Sequence, residues 1–344
     1  METVHISITN ACNLRCKHCF TNAGTPTPNE LTLNEYDVLF RDLYKMGVFQ
    51  LVIAGGEPFI RPDVWKIMDL AEALDFCLFI ETNTMLLRDE DIKRLKSFTI
   101  SQMHIPLEGM RETNDYIRGR EHFAHTLETV RKLSAEDIPV EIRTTASKRS
   151  IDELEELALL LADTGVNTLF VSEFTPTGRG MSYAPELLLG LELKKKLHDT
   201  LGELRSKYYD RITVDGDACG FFDGHERRMG FSKDERSAFC AAMNGESCVI
   251  LPNGTVSPCD QYAFHGGNIR FQSIREIIEK SPVFNWFREF PRSAVSGTCG
   301  ACKFNARCGG CRIFAFLFNG DIYSEDPMCW RVLEARGTES PLYV

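Results

Sequence analysis

The sequence has no long apolar run, no excess of basic residues and no extended low-complexity segment. Charges interrupt its apolar runs well before the ~18 residues that a membrane span needs, and the N-terminus lacks the apolar core of a signal peptide. The net charge of −10 argues against a nucleic-acid partner, which usually meets a basic surface. These absences indicate a cytoplasmic protein with neither a membrane nor a nucleic-acid partner.

The predicted compartment also excludes a disulfide framework, because the cytosol keeps thiols reduced. The 344 residues nevertheless include 13 cysteines, eight of them between Cys240 and Cys329. Most of these thiols should therefore be metal ligands.

A first group of cysteines, Cys12, Cys16 and Cys19, has the spacing C-x3-C-x2-C. It supplies one ligand fewer than a four-iron cubane can bind. A site that serves only structure or electron transfer takes four thiolates, whereas an iron without a protein ligand can bind a small molecule. Zinc or buried thiols are the alternatives, but zinc would want a fourth ligand at suitable spacing, and His18 lies too close. The spacing favours an iron-sulfur cluster.

Up to about residue 210, short β-branched runs alternate with helical periodicity, which predicts parallel strands joined by helices. The candidate strands are His5–Thr9, Gln50–Ala54, Leu78–Glu81, Gln102–Leu107, Val140–Thr144 and Thr168–Ser172. Apolar residues at helical spacing predict the first helix, namely Tyr36, Leu39, Phe40 and Leu43. The fold class is α/β, a partial (β/α)6 TIM-like barrel with its site at the carboxyl ends of the strands.

Composition divides the chain into four parts. Residues 1–210 form the barrel, 211–238 a linker rich in Gly, Asp and aromatics, 239–335 a cysteine-rich domain, and 336–344 a tail. One long amphipathic helix is expected from Ala184 to Asp210.

The cysteine triplet resembles the signature of the radical S-adenosylmethionine (SAM) superfamily, in which the open iron binds the amine and carboxylate of SAM. Directly after the second predicted strand, Gly55-Gly56-Glu57-Pro58 is similar to the family's GGEP element, whose backbone meets the SAM amine. The resemblance therefore implies a catalytic [4Fe-4S] cluster and bound SAM.

Two further strand ends resemble family elements that line the SAM site. Thr82 and Asn83 match the Ser/Thr-Asn-Gly element, with Thr84 in place of Gly. Ile105–Gly109 matches the place of the Ile-Ser-Leu-Asp-Gly element, but Pro106 stands where a Ser hydroxyl usually reaches SAM. Arg143 could clamp the SAM carboxylate with two hydrogen bonds, or it could pair with a neighbouring acid.

The C-terminal cysteines resemble the SPASM domain, which holds up to two auxiliary [4Fe-4S] clusters; two zinc ribbons are the alternative. The gap between Cys308 and Cys311 is one residue shorter than usual. The resemblance implies an inner ligand set near the active site, Cys240, Cys248, Cys259 and Cys311. It implies an outer set of Cys299, Cys302, Cys308 and Cys329. The spacing before Gly254 fits either Cys240 or Cys248 as an early ligand of the inner set.

Four basic residues lie among these cysteines in an otherwise acidic chain: Arg292, Lys303, Arg307 and Arg312. They either raise the potentials of the auxiliary clusters or form a solvated surface. Two cysteines remain outside the ligand sets. Cys77 is expected to be a buried core thiol, and Cys219 is either an idle loop thiol or a hydrogen-atom donor.

The resemblance implies reductive cleavage of SAM to a 5′-deoxyadenosyl radical, which abstracts a hydrogen atom from the substrate. We expect oxidative modification of a peptide or protein side chain, with an electron donor such as flavodoxin or ferredoxin as partner. The pair Cys259-Asp260 resembles anaerobic sulfatase maturases, where the Asp is proposed to take a proton from the substrate. A turn aspartate is the alternative for Asp260.

Two other functions stay open. The first predicted strand starts so early that no N-terminal peptide-recognition domain precedes it, which favours a small-molecule dehydrogenase, epimerase or decarboxylase. Its substrate would be a sugar, an aminocyclitol or a tetrapyrrole, and the C-terminal run from Cys308 to Cys329 resembles the endings of haem-pathway members. The third possibility is a non-catalytic zinc or iron-sulfur interaction protein.

Overall fold

The computed structural model describes residues 1–216, 240–261 and 264–339. In these ranges the strands are β1 (Thr3–Ser7), β2 (Gln50–Ala54), β3 (Cys77–Glu81), β4 (Ile100–Pro106), β5 (Val140–Ala146), β6 (Thr168–Glu173), β7 (Thr213–Gly216), β8 (Val249–Ile250), β9 (Thr255–Ser257) and β10 (Gly267–Asn268). The helices of the barrel region are α1 (Leu33–Lys45), α2 (Val64–Glu72), α3 (Asp89–Leu95), α4 (Arg111–Arg118), α5 (His122–Ala135), α6 (Leu154–Ala162), α7 (Ala184–Leu187) and α8 (Leu191–Lys207). The C-terminal helices are α9 (Ala241–Asn244), α10 (Ile274–Lys280), α11 (Pro282–Arg288), α12 (Gly297–Gly300), α13 (Arg312–Asn319) and α14 (Trp330–Arg336).

One sheet runs through both halves of the described chain. Strands β1 to β7 lie side by side in chain order and are all parallel. On the other side of β1, β8 pairs parallel, and β9 and β10 continue the sheet antiparallel. The cysteine-rich region is therefore hydrogen-bonded to the first strand of the barrel.

The first helix shows why the sequence folds as it does. Thr32 and Glu35 form a capping box that satisfies the free N–H groups at the start of α1. The predicted apolar face of α1 is confirmed, because Tyr36, Leu39, Phe40 and Leu43 are all buried in the main core. Helices of this kind cover one face of the sheet and leave the other face for the site.

Three details differ from the sequence-based expectations. Within the described residues eight strands, β8 and β1 to β7, run parallel rather than six, and β7 (Thr213–Gly216) lies in the segment predicted as linker. The single helix predicted from Ala184 to Asp210 is divided, because Gly190 is extended and begins a new helix at Leu191. The α/β fold with a parallel sheet is confirmed.

The strands alternate apolar and polar side chains between the two faces of the sheet. Val4 and Ile6 of β1 enter the helix-covered core, so His5 points to the opposite face. Glu81, His104 and Arg143 occupy that same inner face on β3, β4 and β5. The inner face is therefore polar, and it is continuous with the carboxyl ends of the strands. No helix within the described ranges is long and apolar enough to cross a membrane.

Candidate active site

The predicted cluster ligands Cys12, Cys16 and Cys19 lie together on the loop that follows β1. Burial raises the pKa of Cys16, the Arg118 guanidinium lowers it, and the charges of Cys12 and Cys19 raise it again. Backbone N–H groups donate to two of the sulfurs, from Leu14 to Cys12 at 3.4 Å and from Ala23 to Cys19 at 3.3 Å. Such donors stabilise thiolates that bind an iron-sulfur cluster. The donor set therefore fits a cluster held by three cysteines.

The glycines of the GGEP element support this loop directly. A Cβ on Gly55 would lie 2.3 Å from the carbonyl oxygen of Thr9, and one on Gly56 would lie 2.2 Å from that of Ala11. The Gly56 N–H donates to Thr9 and the Glu57 N–H donates to Ala11, both at 2.8 Å. These two glycines therefore let the end of β2 pack closely against the backbone that leads into the cysteine loop.

Glu57 connects the end of β2 to the end of β3. Its buried carboxylate accepts hydrogen bonds from the Asn83 N–H at 2.7 Å, the Thr82 hydroxyl at 2.8 Å and the Phe59 N–H at 3.1 Å. Burial raises the pKa of Glu57 to about 7, although these hydrogen bonds lower it. The structure therefore brings Thr82 and Asn83 to the GGEP element, as expected from the sequence.

Asn83 extends this network to the cysteine loop. Its side-chain N–H donates to Asn13 at 2.9 Å and lies 3.8 Å from the sulfur of Cys12. The following residue, Thr84, has a φ of +65°, a conformation that suits Gly and is strained for a β-branched residue. The family's Gly at this position thus has a conformational reason, and Thr84 adopts the same turn.

Arg143 is paired with acids on the inner face of the sheet. Its Nε donates to Glu141 at 2.8 Å, and its Nη1 lies 3.6 Å from Glu81. The side chain is partly exposed and lies over the ring of Phe170. The expected pairing with neighbouring acids is therefore present.

A buried ion pair beside the cysteine loop was missed by the sequence analysis. Glu108 lies at the end of β4, and Arg118 is the last residue of α4; the guanidinium donates from Nε to the carboxylate at 2.8 Å. Nη1 of Arg118 lies 3.8 Å from the sulfur of Cys16. His18 Nε2 approaches Glu108 at 3.3 Å, and burial lowers the pKa of His18 to about 4, with Glu108 opposing this effect. The one sequence signal for this ion pair was Glu108, the acidic residue of the Ile105–Gly109 element.

The second group of cysteines comprises Cys240, Cys259 and Cys311. Burial raises the pKa of Cys259 well above its ordinary value, and the charges of Cys311 and Cys240 add to that effect. Burial also raises the pKa of Cys311, with a further contribution from Cys240. Cys259 and Cys311 pack against one apolar cluster, and Cys240 immediately precedes α9, which contributes Ala242 and Met243 to that cluster. These three predicted inner ligands are therefore near one another.

Cys248 does not join them. Its side chain is fully buried in the main hydrophobic core next to β8, and burial alone raises its pKa to about 12. Its carbonyl accepts from the His5 N–H at 3.0 Å, so the residue belongs to the sheet. The prediction of Cys248 as a ligand disagrees with this position, because a core thiol surrounded by apolar side chains does not face the other cysteines.

The outer set, Cys299, Cys302, Cys308 and Cys329, is brought together as expected. Burial raises the pKa of Cys308 to about 12, and Cys299 and Cys302 contribute to the shift. Burial also raises the pKa of Cys329 to about 12, with a contribution from Cys299. The Gly310 N–H donates to the Cys308 sulfur at 3.3 Å. This donor set fits a cluster held by four cysteines.

Among the basic residues near these cysteines, Arg312 is buried and not solvated. Its guanidinium donates to the carbonyls of Gly310, Ile322 and Ser324 at 3.2, 2.8 and 2.6 Å. Arg292 lies close enough to Cys240 that its charge lowers the pKa of that thiol against the larger effect of burial. Lys303 lies over the ring of Phe304.

Asp260 is exposed and lies beside Cys259 of the second cysteine group. Its Oδ1 is 3.4 Å from the sulfur of Cys259. Burial lowers the pKa of His5 on β1, and the charges of Glu81 and Asp260 raise it again. The adjacent Gln261 accepts a hydrogen bond from Thr177 at 3.2 Å, which ties this loop to the segment after β6. The carboxylate is thus near a predicted cluster ligand and near the polar barrel face.

Cys77 and Cys219 were not assigned to any predicted ligand set. Cys77 is half-buried rather than fully buried, and its sulfur contacts the Ser101 hydroxyl at 2.7 Å. Cys219 lies outside the described residues.

Comparisons with known proteins agree with this geometry. The radical SAM superfamily matches residues 6–161, and the SPASM iron-sulfur cluster-binding domain matches residues 240–303. Mycofactocin maturase MftC of Mycobacterium tuberculosis is 30% identical over 330 residues, which cover 94% of this chain and 81% of that protein. This chain belongs to the radical SAM superfamily.

Other similar proteins have different functions or are solved structures. The AdoMet-dependent heme synthase of Methanosarcina barkeri is 29% identical over 333 residues, which cover 94% of this chain and 94% of that protein. Among solved structures, Streptococcus suis SuiB bound to S-adenosylmethionine has a TM-score of 0.77 at 18% identity, covering 95% of this chain and 76% of SuiB. Native anSMEcpe with bound AdoMet has a TM-score of 0.73 at 16% identity, covering 98% and 95%. At these identities the two structures show the fold.

As a radical SAM enzyme with a SPASM domain, the protein uses [4Fe-4S] clusters and SAM. Together they supply a 5′-deoxyadenosyl radical that abstracts hydrogen from the substrate. Among the described residues, no three His, Cys, Asp or Glu side chains are grouped tightly enough to hold a single metal ion. A cubane does not require this, since each thiolate binds a different iron. Because the chain matches the radical SAM superfamily and its relatives are enzymes, the interpretation as a non-catalytic interaction protein is wrong.

Proposed function

We propose that this enzyme oxidises a side chain of a peptide or protein substrate. The observation that carries the proposal is the position of Asp260, beside Cys259 and within electrostatic range of His5 on the inner barrel face. Loss of a hydrogen atom and then an electron from an X–H-bearing carbon requires a proton acceptor. Asp260 supplies a carboxylate beside Cys259, where substrate and electron acceptor would meet.

The cysteine groups give the proposed ligand sets. Cys12, Cys16 and Cys19 hold the catalytic cluster and leave one iron for SAM. The inner auxiliary cluster takes Cys240, Cys259 and Cys311, whereas Cys248 belongs to the apolar core. The outer cluster takes Cys299, Cys302, Cys308 and Cys329.

The proposed SAM site lies at the strand ends beside the catalytic cysteines. Gly55–Pro58, Thr82 and Asn83 border this loop through the hydrogen bonds described above. Arg143 is the proposed partner of the SAM carboxylate. Because two glutamates already compensate its charge, its contribution depends on one guanidinium edge facing the ligand.

The polypeptide character of the substrate is supported by two relatives. MftC is a mycofactocin maturase, and SuiB has been crystallised with its precursor peptide SuiA. We further propose a cytoplasmic location, because most of the 13 thiols must stay reduced. A low-potential flavodoxin or ferredoxin would be the electron donor.

A small-molecule substrate is the second candidate. The observation in its favour is the end-to-end match with the Methanosarcina heme synthase, which covers 94% of both chains. In that case the protein would be a decarboxylase or dehydrogenase of a tetrapyrrole or a related metabolite. The same residues would hold the clusters and SAM.

The deciding experiment is anaerobic incubation of the reconstituted enzyme with SAM, a strong reductant and candidate substrates. Formation of 5′-deoxyadenosine together with loss of hydrogen from a peptide supports the first candidate. Loss of carbon dioxide from a porphyrin carboxylate supports the second and contradicts the first. A variant with Cys12, Cys16 and Cys19 all changed to Ala is the control, and it should form neither product.

A further inference from the structure

Asp326 lies between the two auxiliary cysteine groups and contacts both. Its backbone N–H donates to the sulfur of Cys299, in the outer set, at 3.3 Å. Its Oδ2 accepts from the backbone N–H of Cys311, in the inner set, at 2.8 Å. The residue is 1% exposed, so solvent does not screen these contacts.

The second carboxylate oxygen is also satisfied. Oδ1 of Asp326 accepts from the Met328 N–H at 2.9 Å. Burial raises the pKa of Asp326, whereas the N–H groups of Cys311 and Met328 and the charges of Arg312 and Lys194 lower it. Two N–H donors and two nearby cations stabilise the ionised carboxylate.

The packing around Asp326 also involves residues next to both sets. The turn before Cys311 is packed onto the same residue, because a Cβ on Gly310 would lie 2.8 Å from the Cβ of Asp326 and 3.0 Å from the Cys299 sulfur. This close packing restricts the conformation of the turn before Cys311 and the position of the Cys299 sulfur.

The barrel reaches the same point through Lys194. This fully buried residue of α8 is ion-paired with Glu173 at the end of β6, and its charge acts on Asp326. Arg312, also buried, provides the other nearby positive charge. A row of buried charges therefore connects the barrel strand to the auxiliary domain.

We propose that Asp326 is a positioning residue that couples the two auxiliary clusters, orienting one ligand of each and placing a shared negative charge beside both. The inference rests on the ligand sets of the proposed function. A negative charge close to a cluster disfavours an added electron and so lowers the reduction potential. One side chain would thereby set the potentials of both clusters together.

The test is an anaerobic redox titration, followed by electron paramagnetic resonance, of the reconstituted full chain carrying Asp326→Asn. The amide keeps an acceptor oxygen and removes the charge. We expect unchanged iron content and an upward shift of both auxiliary potentials, each equivalent to at least a tenfold change in the reduction equilibrium, or 59 mV for a one-electron couple. Asp321→Asn removes an equal but exposed charge from the same domain and should leave both potentials in place.

Lys194→Met provides an independent test, because it removes a compensating cation and leaves every cysteine in place. Both auxiliary potentials should then fall. The coupling is contradicted by the following result: Asp326→Asn and Lys194→Met both retain their iron, but in each variant at most one of the two auxiliary potentials shifts. Ligand variants separate this outcome from a failure of the ligand sets: if Cys311→Ala and Cys308→Ala both retain every cluster signal, the ligand sets are wrong and the coupling falls with them.

Discussion

Arg118 Nη1 lies 3.8 Å from the sulfur of Cys16, although 102 positions separate the two residues in the chain. The same guanidinium is held by Glu108, whose other oxygen accepts from the Thr145 N–H at 2.6 Å. The catalytic cysteine loop is therefore supported by a buried ion pair from β4 and α4. Breaking such a pair leaves a buried charge without compensation.

Arg118→Met should lower the free energy of unfolding by about 3–5 kcal/mol, because Glu108 would remain buried and ionised. Glu108→Gln in the same chain should restore a large part of that loss, since the amide needs no cation. Urea denaturation of the parent, both single variants and the double variant measures this. Arg41→Met, at an exposed pair with Asp37, is the control and should change little. Equal losses in the single and double variants would contradict the role of the pair.

Gly56→Ala should prevent the catalytic cluster from binding normally, because the added Cβ would lie 2.2 Å from the Ala11 carbonyl oxygen. We expect loss of about a third of the iron, which is one of three cubanes, with the auxiliary signals retained. Iron analysis and electron paramagnetic resonance measure both quantities. Gly202→Ala, where a Cβ has open space, should retain all iron and stabilise α8 by up to about 1 kcal/mol.

Replacement of single cysteines should separate Cys248 from the ligands. Cys248→Ala removes a core thiol and should leave iron content unchanged, whereas Cys259→Ala should lower it by up to about four irons. Iron content per chain after anaerobic reconstitution is the measurement. Iron loss in Cys248→Ala equal to that in Cys259→Ala would return Cys248 to the inner ligand set.

Asp260→Asn should retain the clusters and the cleavage of SAM, and it should lower product formation by ~10², the usual contribution of a general base. The comparison is between 5′-deoxyadenosine and modified substrate in the same reaction. Activity within a few-fold of the parent would make Asp260 a turn residue and weaken the oxidative mechanism.

Stability should fall in mild acid because of His122. Burial lowers its pKa to about 2, so the folded protein keeps this imidazole neutral while the unfolded chain takes up a proton below pH 6.5. The stabilisation is complete above pH 6.5 and decreases toward lower pH, by about 2 kcal/mol at pH 5.

The matched variant for this pH dependence is His122→Gln, which cannot titrate. Its free energy of unfolding should fall by about 2 kcal/mol less than that of the parent between pH 7.5 and pH 5. Parallel pH profiles for the two proteins would show that His122 is protonated in the folded state as readily as in the unfolded chain.

Local patterns in the sequence were enough to predict parallel strands joined by helices and the catalytic motif. The alternation of β-branched runs with helical faces predicts parallel strands, and C-x3-C-x2-C followed by Gly55–Pro58 places a cluster at their carboxyl ends. Neighbouring residues carry these signals, because side-chain periodicity and loop ligand spacing are properties of short segments. The seventh strand, Thr213–Gly216, was missed because four residues are too few to show a period.

Only the tertiary structure decided which distant residues meet. Cys248 has the spacing of a ligand, yet β8 pairs with β1 and carries it into the apolar core. Arg143 is the proposed SAM partner, and the sheet also sets it beside Glu141 of its own strand and Glu81 of β3, two strands away. Arg118 reaches Cys16, and Asp326 reaches both Cys299 and Cys311, across chain separations that no local pattern records. These contacts follow from the packing of helices on the sheet, where burial selects paired charges and satisfied hydrogen bonds regardless of sequence distance.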